Sequence, residues 1–351
     1  MTNEQYGIFA RLKDKMAEKD GDYSYFLHQL SSPSEERRKN AVRVISANGK
    51  DCIEELVAAF HYAYADNPNK ETARDAVLEI ILRIGKPAIP ILAKNMCELF
   101  SKTYVEALIR FGKEAVPELL DRLSRGQQQA GIHSNALDAL FEIADRADIP
   151  EAIPPLIQRL KGSWKPEHKP MICSIFGRIG KRTYSGQIID ALIESITIRK
   201  EDRFGFTREF DREMEKLTTK NALAAIDDAA TEITHEEALR SLRKAVNSVS
   251  YGQYHYAIGA LSEANAPVRE KPMKNIAAKI TVNEAVEILL DALISSNVEK
   301  MPLAQNALIG FGGDAIAGLT SAKAVAAIMG FQGYNVKTTI KQIGNESAAR
   351  F

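Results

Sequence analysis

The densest set of groups that could do chemistry runs from Arg159 to Arg182. It holds Arg159, Lys161, Lys165, Lys169, Arg178, Lys181 and Arg182 against one acid, Glu167, with Trp164 and His168 among them. Seven cations in so short a stretch can meet phosphates or the carboxylates of an acidic partner. The same pattern also arises where a solvated turn joins two helix ends that happen to be basic. Trp164, the one tryptophan, stands between Gly162-Ser163 and Lys165-Pro166. In a turn it either packs over the edge of a repeat or is exposed as a contact anchor. Tyr251-Gly252-Gln253-Tyr254-His255-Tyr256 is the richest aromatic stretch. At a helix start Tyr251, Tyr254 and His255 share a face, either as core with tethered hydroxyls or as a binding patch.

Other chemistries find less support. The six histidines stand alone, with no HExxH and no repeated His–carboxylate spacing, so no metal site and no cofactor is implied. Gly310, Gly312 and Gly313 resemble a phosphate loop only loosely, because no strand precedes them and no Lys-Ser/Thr follows. Ser, His and Asp occur without a GxSxG arrangement, and no catalytic residue is predicted. Cys52, Cys97 and Cys173 lie far apart among apolar neighbours, which reads as buried thiols in a reducing compartment. The Met1-Thr2-Asn3-Glu4-Gln5 start has no basic n-region or apolar h-region, and no apolar run reaches the ~20 residues of a membrane span. A cytoplasmic protein that does not enter membranes is the expectation. The 46 basic and 46 acidic residues cancel, which argues against a dedicated nucleic-acid binder. The 159–182 segment is the one route by which a nucleic acid could bind.

What must position these residues is a repeated helix–Gly–helix unit. Ala107-Leu108-Ile109-Arg110-Phe111-Gly112-Lys113-Glu114-Ala115-Val116-Pro117-Glu118-Leu119-Leu120-Asp121-Arg122-Leu123 reads as a helix end, a Gly stop and a second helix. The pattern recurs at Ile84-Gly85-Lys86-Pro87-Ala88-Ile89-Pro90 and at Ile309-Gly310-Phe311-Gly312. Gly permits a left-handed residue after the last turn, and Pro fits the start of a helix. Stops at 49, 85, 112, 144 and 180 give spacings of 36, 27, 32 and 36 residues. Periods of this size mark stacked repeats. Pro90, Pro117 and Pro154 align near the starts of second helices. Their apolar slots, Ile53/Leu56/Val57/Phe60, Ile89/Leu92/Ala93/Met96, Val116/Leu119/Leu120/Leu123, Ile153/Leu156/Ile157/Leu160 and Ile189/Leu192/Ile193/Ile196, should form a buried stripe. Between 200 and 298 the signal fades: 207–217 reads as an extra helix, Asn221–Ile233 and Glu236–Val249 as a pair with a Thr234/Glu237 capping box. Tyr254–Ala264, Val268–Ile280 and Asn283–Ile294 are further helices, and 180–312 leaves room for about four units at this period.

These units resemble short HEAT-like repeats of the phycobilisome-lyase type, in which a helix ends in Leu/Ile-Gly and the next is of Ala-x-Pro-x-Leu type. The resemblance is strong over 34–197 and returns at 301–320. It implies an all-α fold, an α-solenoid of stacked helix pairs whose second helices line a concave surface, usually used to bind another macromolecule. It transfers no catalytic residue. Two enzyme types on such scaffolds, bilin lyase-like and DNA glycosylase-like, stand as alternatives; the second would need a strongly basic face with aromatics and an acid.

Four regions follow: an N-terminal cap at 1–33, HEAT-like repeats at 34–198, degenerate helical repeats at 199–300, and a C-terminal repeat with end helices at 301–351. The second-helix alignment puts Asn95, Arg122, Arg159 and Ser195 at one repeat position and Lys94, Asp121, Gln158 and Glu194 at its neighbour. Both should project outward, with Arg122 and Arg159 on one face. Mixed charge there predicts a protein partner bound by a scaffolding module. Its contact residues would be Lys94, Asp121, Arg122 and Arg159, joined by Trp164, Lys165, Lys169, Lys181 and Arg182.

Overall fold

Short helices with one apolar face gain stability by covering that face with another helix. The computed structural model describes residues 30, 32, 34–48, 53, 70–96, 101–124, 130–162, 166–181, 186–196, 209–262, 273–295, 297–312, 315 and 338–345. Among them every regular element is helical, so the all-α class predicted from the sequence holds. The chain divides into two compact units, Met1–Ala152 and Ile153–Phe351. The predicted cap at 1–33 lies outside the described residues except for Leu30 and Ser32.

The first unit contains α1 (Glu35–Asn48), α2 (Lys70–Ile84), α3 (Ile89–Lys94), α4 (Ser101–Phe111), α5 (Val116–Ser124) and α6 (Ala130–Arg146). Helices α1, α2, α4 and α6 pack side by side, while α3 lies on α4 and α5 on α6. The connection predicted as a single Gly stop has two parts. Gly85 and Gly112 take φ of 82° and 61°, and each is joined to a one-turn 3-10 helix, Lys86–Ala88 or Gly112–Ala115. Pro90 and Pro117 are then the second residues of α3 and α5, where a missing N–H leaves no hydrogen bond unmade. Gly85 is not left-handed in the helical sense, because its ψ is −147°, a region open essentially to glycine alone. Residue 144, also read as a stop, is a buried alanine inside α6.

The second unit contains α7 (Ile153–Lys161), α8 (Lys169–Gly180), α9 (Gly186–Ser195), α10 (Glu209–Ala229), α11 (His235–Asn247), α12 (Tyr251–Leu261), α13 (Lys274–Ala277), α14 (Val282–Leu293) and α15 (Lys300–Phe311). Here Gly180 is the stop that its place in the sequence predicts. It ends α8 inside the core, where an added Cβ would lie 2.5 Å from the Cβ of Ala229. A Cβ added at Gly177 would lie 3.2 Å from Ala225, so two glycines let α8 and α10 approach backbone to backbone. The helices predicted separately at 207–217 and 221–233 are one continuous α10, since Leu217-Thr218-Thr219-Lys220 supplies no Gly or Pro to break it. Of the helix predicted at 268–280, residues 273–280 are described, and only Lys274–Ala277 among them is helical.

The expected series of four pairs is replaced by a longer repeat. Helices α11 and α14 pack together, as do α12 and α15, and α10 and α13. Thr234 and Thr281 each accept a hydrogen bond from the backbone of the glutamate three residues on, and that glutamate answers the threonine backbone. Both capping boxes sit in the same sentence, Ile-Thr-x-x-Glu-Ala, 47 residues apart. This is a three-helix repeat at the upper end of the helical-repeat range.

The apolar slots are filled as their spacing requires, with two exceptions. Leu92, Leu119, Leu156 and Leu192 are fully buried, as are Ile189, Ile193 and Ile196. Leu120 and Ile157 are half-buried and not part of the stripe. Leu56, Val57 and Phe60 lie outside the described residues.

Candidate functional site

The basic segment is only partly free to meet a ligand. Lys161 pairs with Glu194 at 2.8 Å and Lys181 with Asp228 at 3.2 Å. Arg159 is half-buried, and burial lowers its pKa. His168 is buried and Lys169 half-buried at the start of α8. Trp164, Lys165 and Arg182 lie outside the described residues. Two of the cations thus close contacts between helices, and the helical fold brings acids to them from α9 and α10.

The repeat positions expected to project outward are held close to their own helices. Arg122 donates from Nε and Nη2 to Glu118 at 3.0 and 2.7 Å, and Nη2 stands 3.5 Å from the Pro90 carbonyl. It therefore ties α5 to the start of α3 and is half-buried, as is Asp121. Asn95 folds back onto the Ile91 carbonyl at 2.9 Å and Ser195 onto that of Leu192 at 2.7 Å. Lys94 is the exposed one of the set in the first unit, and Gln158 is exposed in the second. Arg122 and Arg159 belong to different units, each described within its own.

The groups that do converge lie on α7, α9, α11 and α14. Glu194 on α9 takes Lys161 of α7 on one oxygen and Lys244 of α11 on the other, at 2.8 and 2.7 Å. Burial works to raise the Glu194 carboxyl, but the two ammoniums outweigh it and hold it below its ordinary value. Lys244 is raised in turn by its bond to Glu194. Asp190 accepts from Ser241 at 3.2 Å, with Lys244 at 3.8 Å and Arg240 at 3.9 Å. Arg243 carries the series to Glu287 of α14 at 3.3 Å, and His235 reaches Glu284 at 2.9 Å. The result is a ladder of alternating charge across four helices that pack in one row, α7 on α9, α9 on α11 and α11 on α14. The sequence names Glu194 as a repeat position and Lys161 as a cation of the basic segment but does not join them, because they stand 33 residues apart, and Lys244 lies 50 residues beyond Glu194 with no shared local motif.

The aromatic cluster forms as its helical spacing predicts. Tyr251 meets Tyr254 edge-on at 5.4 Å and stacks with His255 at 5.2 Å. Tyr254 is core, with its hydroxyl donated to Glu299 at 2.9 Å and the Lys300 ammonium 5.1 Å from the ring centre. Lys300 is itself buried, and that burial lowers its pKa. A groove of ≈ 480 Å³ runs beside the cluster, with His255, Gly259, Leu303 and Asn306 in its walls. Cys173 is buried under α9, its Sγ 3.7 Å from the Ser195 hydroxyl, and burial pushes the thiol up to about 12.

Among the described residues no three His, Cys, Asp or Glu side chains are grouped to hold a metal ion. No helix among them is long and apolar enough to cross a membrane. No protein-family model matches the chain, and no curated protein matches it. A solved structure of an engineered protein is similar at 18% sequence identity, covering 94% of this chain and 90% of the engineered one, with a TM-score of 0.35.

Proposed function

We propose that this chain is a protein-binding or scaffolding module that works without catalysis, and that its working surface in the second unit is the charge ladder on α7, α9, α11 and α14. The observation that carries this reading is the alternation itself: Lys161, Glu194, Lys244, Asp190, Arg243 and Glu287 interleave both signs across consecutive helices. A nucleic acid would favour one sign throughout, whereas a surface of mixed charge selects a partner with the complementary mixture. The half-exposed pairs contribute little to stability, so they can exchange partners at small cost. In the first unit Lys94, with Asp121 and Arg122 beside it, is the corresponding contact set. Trp164, Lys165, Lys169, Lys181 and Arg182 would extend the surface of the second. The HEAT-like resemblance of the repeats agrees with such a role in the cytoplasm.

The test is a paired affinity capture, in which the wild-type chain and an Arg240→Glu/Arg243→Glu/Lys244→Glu variant are used as baits. A protein held by the first and lost from the second, at nearly equal melting temperature, supports the ladder as the working face. Identical captured sets would refute it.

A further inference from the structure

We propose that the first two turns of α10 are a docking site for an amphipathic helix of a partner protein whose apolar stripe is bordered by basic residues. The surface lies in the row of α8 and α10, apart from the charge ladder, and does not depend on it.

The register of α10 on α8 leaves this segment overhanging. Asn221 donates to the Pro170 carbonyl at 3.0 Å and to Ser174 at 3.1 Å; Ala225 lies against Gly177 and Ala229 against Gly180. The two helices therefore run parallel, but α8 has 12 residues and α10 has 21. Residues 209–216 continue past the first turn of α8, beside the 3-10 turn Pro166–His168.

What the overhang presents is an apolar stripe. Phe210 is 51% and Leu217 40% exposed, and with half-buried Met214 they recur at i, i+4 and i+7 along one side. A phenylalanine left half in water gains by being covered.

The charges say what covers it. Helical spacing sets Glu209 and Glu213 on one border of the stripe and Asp211 and Glu215 on the other, with Arg212 and Lys216 on the opposite side. Each i,i+4 pair here joins like charges: Glu209 with Glu213, Asp211 with Glu215, Arg212 with Lys216. Such pairs weaken an isolated helix. The i,i+4 ion pairs in the first unit are matched instead, Glu79 with Arg83 and Glu106 with Arg110 among them. Glu209, Asp211 and Glu213 form no ion pair among the described residues. A second copy of this chain would set acid against acid, and a nucleic acid or an anionic lipid surface would be repelled. A helix with lysine or arginine on both sides of its apolar stripe satisfies the hydrophobic side chains and the carboxylates together.

The probes are two synthetic amphipathic helical peptides that share one leucine stripe, bordered by lysine and arginine in one and by glutamate in the other. Fluorescence anisotropy against the full chain should show the basic peptide binding at least about tenfold more tightly, with an advantage that shrinks as salt rises. Phe210→Ser/Leu217→Ser should weaken basic-peptide binding by about tenfold or more. Both side chains are exposed, so this variant should keep its melting temperature. Glu209→Lys/Glu213→Lys should reverse the preference between the peptides. Equal binding of the two peptides, or unchanged binding by Phe210→Ser/Leu217→Ser, overturns the proposal. So does a concentration-dependent dimer abolished by that variant when the basic peptide does not bind, since it makes a second copy the occupant. If the Arg240/Arg243/Lys244 reversal loses the basic peptide while Phe210→Ser/Leu217→Ser keeps it, the peptide belongs to the ladder and the α10 site fails.

Discussion

The two units use opposite charges in different ways. In the first, Glu35–Lys39, Glu79–Arg83, Glu106–Arg110, Glu118–Arg122 and Glu142–Arg146 all pair within a helix at i,i+4, with the acid toward the N-terminus. That is the better orientation against the helix dipole, and it supports each helix whether or not its neighbour is in place. Among the described residues, Lys86–Glu114, at 3.2 Å, is the pair that crosses between repeats there. In the second unit the pairs join different helices: Lys161 and Lys244 to Glu194, Lys181 to Asp228, Arg243 to Glu287 and His235 to Glu284. Such pairs reward one stacking register over its neighbours and add little to a helix by itself. Four glycines show the same contrast, although Gly312 of the second unit has the positive φ and open surroundings of Gly85 and Gly112. Gly85 and Gly112 are required by their φ, with nothing near a would-be Cβ, while Gly177 and Gly180 are required by what lies against them. Local support dominates the first unit and mutual support the second.

The largest effect should be common to both, because packing underlies both. Leu119→Ala should cost ~2–5 kcal/mol in chemical denaturation, the range for truncating a fully buried leucine. A loss below about 1 kcal/mol would mean that α5 is not held by its apolar face.

The glycines offer the sharpest contrast. Gly180→Ala should cost ~1–3 kcal/mol by pressing on Ala229, and Ala229→Gly in the same chain should recover much of it. Gly112→Ala should cost about 1 kcal/mol through φ alone, and no neighbouring change should recover it. If Ala229→Gly fails to relieve Gly180→Ala, close approach is not what the second unit requires of that glycine.

Acid should distinguish the capping box that is also cross-linked. Glu284 receives His235 and the backbone and hydroxyl of Thr281, and these donors hold its carboxyl down to about 2 from an ordinary 4.5. A carboxyl depressed by folding stabilises fully above its unfolded value, and the contribution fades as pH falls through the folded one. The gap in melting temperature between wild type and Glu284→Gln should close as pH falls from about 4.5 toward about 2. A gap that persists unchanged at pH 2 would remove the carboxylate from this role.

The smallest effect belongs to the ladder. Glu194→Gln should change stability by less than about 1 kcal/mol, since its pairs are partly exposed. A larger loss would turn the ladder into a stabilising device and weaken its case as a binding face.

The first unit was the more legible because its signals are local. Gly112 with Pro117 announces a helix end and a helix start within a few residues, and α4 does end at Phe111 and α5 begin at Val116. The second unit hides its repeat, since Gly180 ends α8 yet also serves, with Gly177, contact with a helix 48 and 49 residues on. The identical Ile-Thr-x-x-Glu-Ala openings at 233 and 280 were readable, but a search keyed to glycine passes over them. The charge ladder was not readable at all, because Lys161, Glu194 and Lys244 become neighbours only once the stacking is known. Arg122 was placed correctly on its helix, and its clamp onto Glu118 and Pro90 depends on the i,i+4 acid and on the approach of α3.

Cys173 turns the mutual support of the second unit into a clock. A thiol raised to about 12 and sealed beneath Ser195 presents almost no thiolate at neutral pH and no path for a reagent. Alkylation at that residue, followed by peptide mass spectrometry, therefore counts the excursions in which α8 and α9 part. With reagent concentrated enough that alkylation outpaces reclosing, those counts give the time between openings of the stack, a quantity that a melting temperature does not contain.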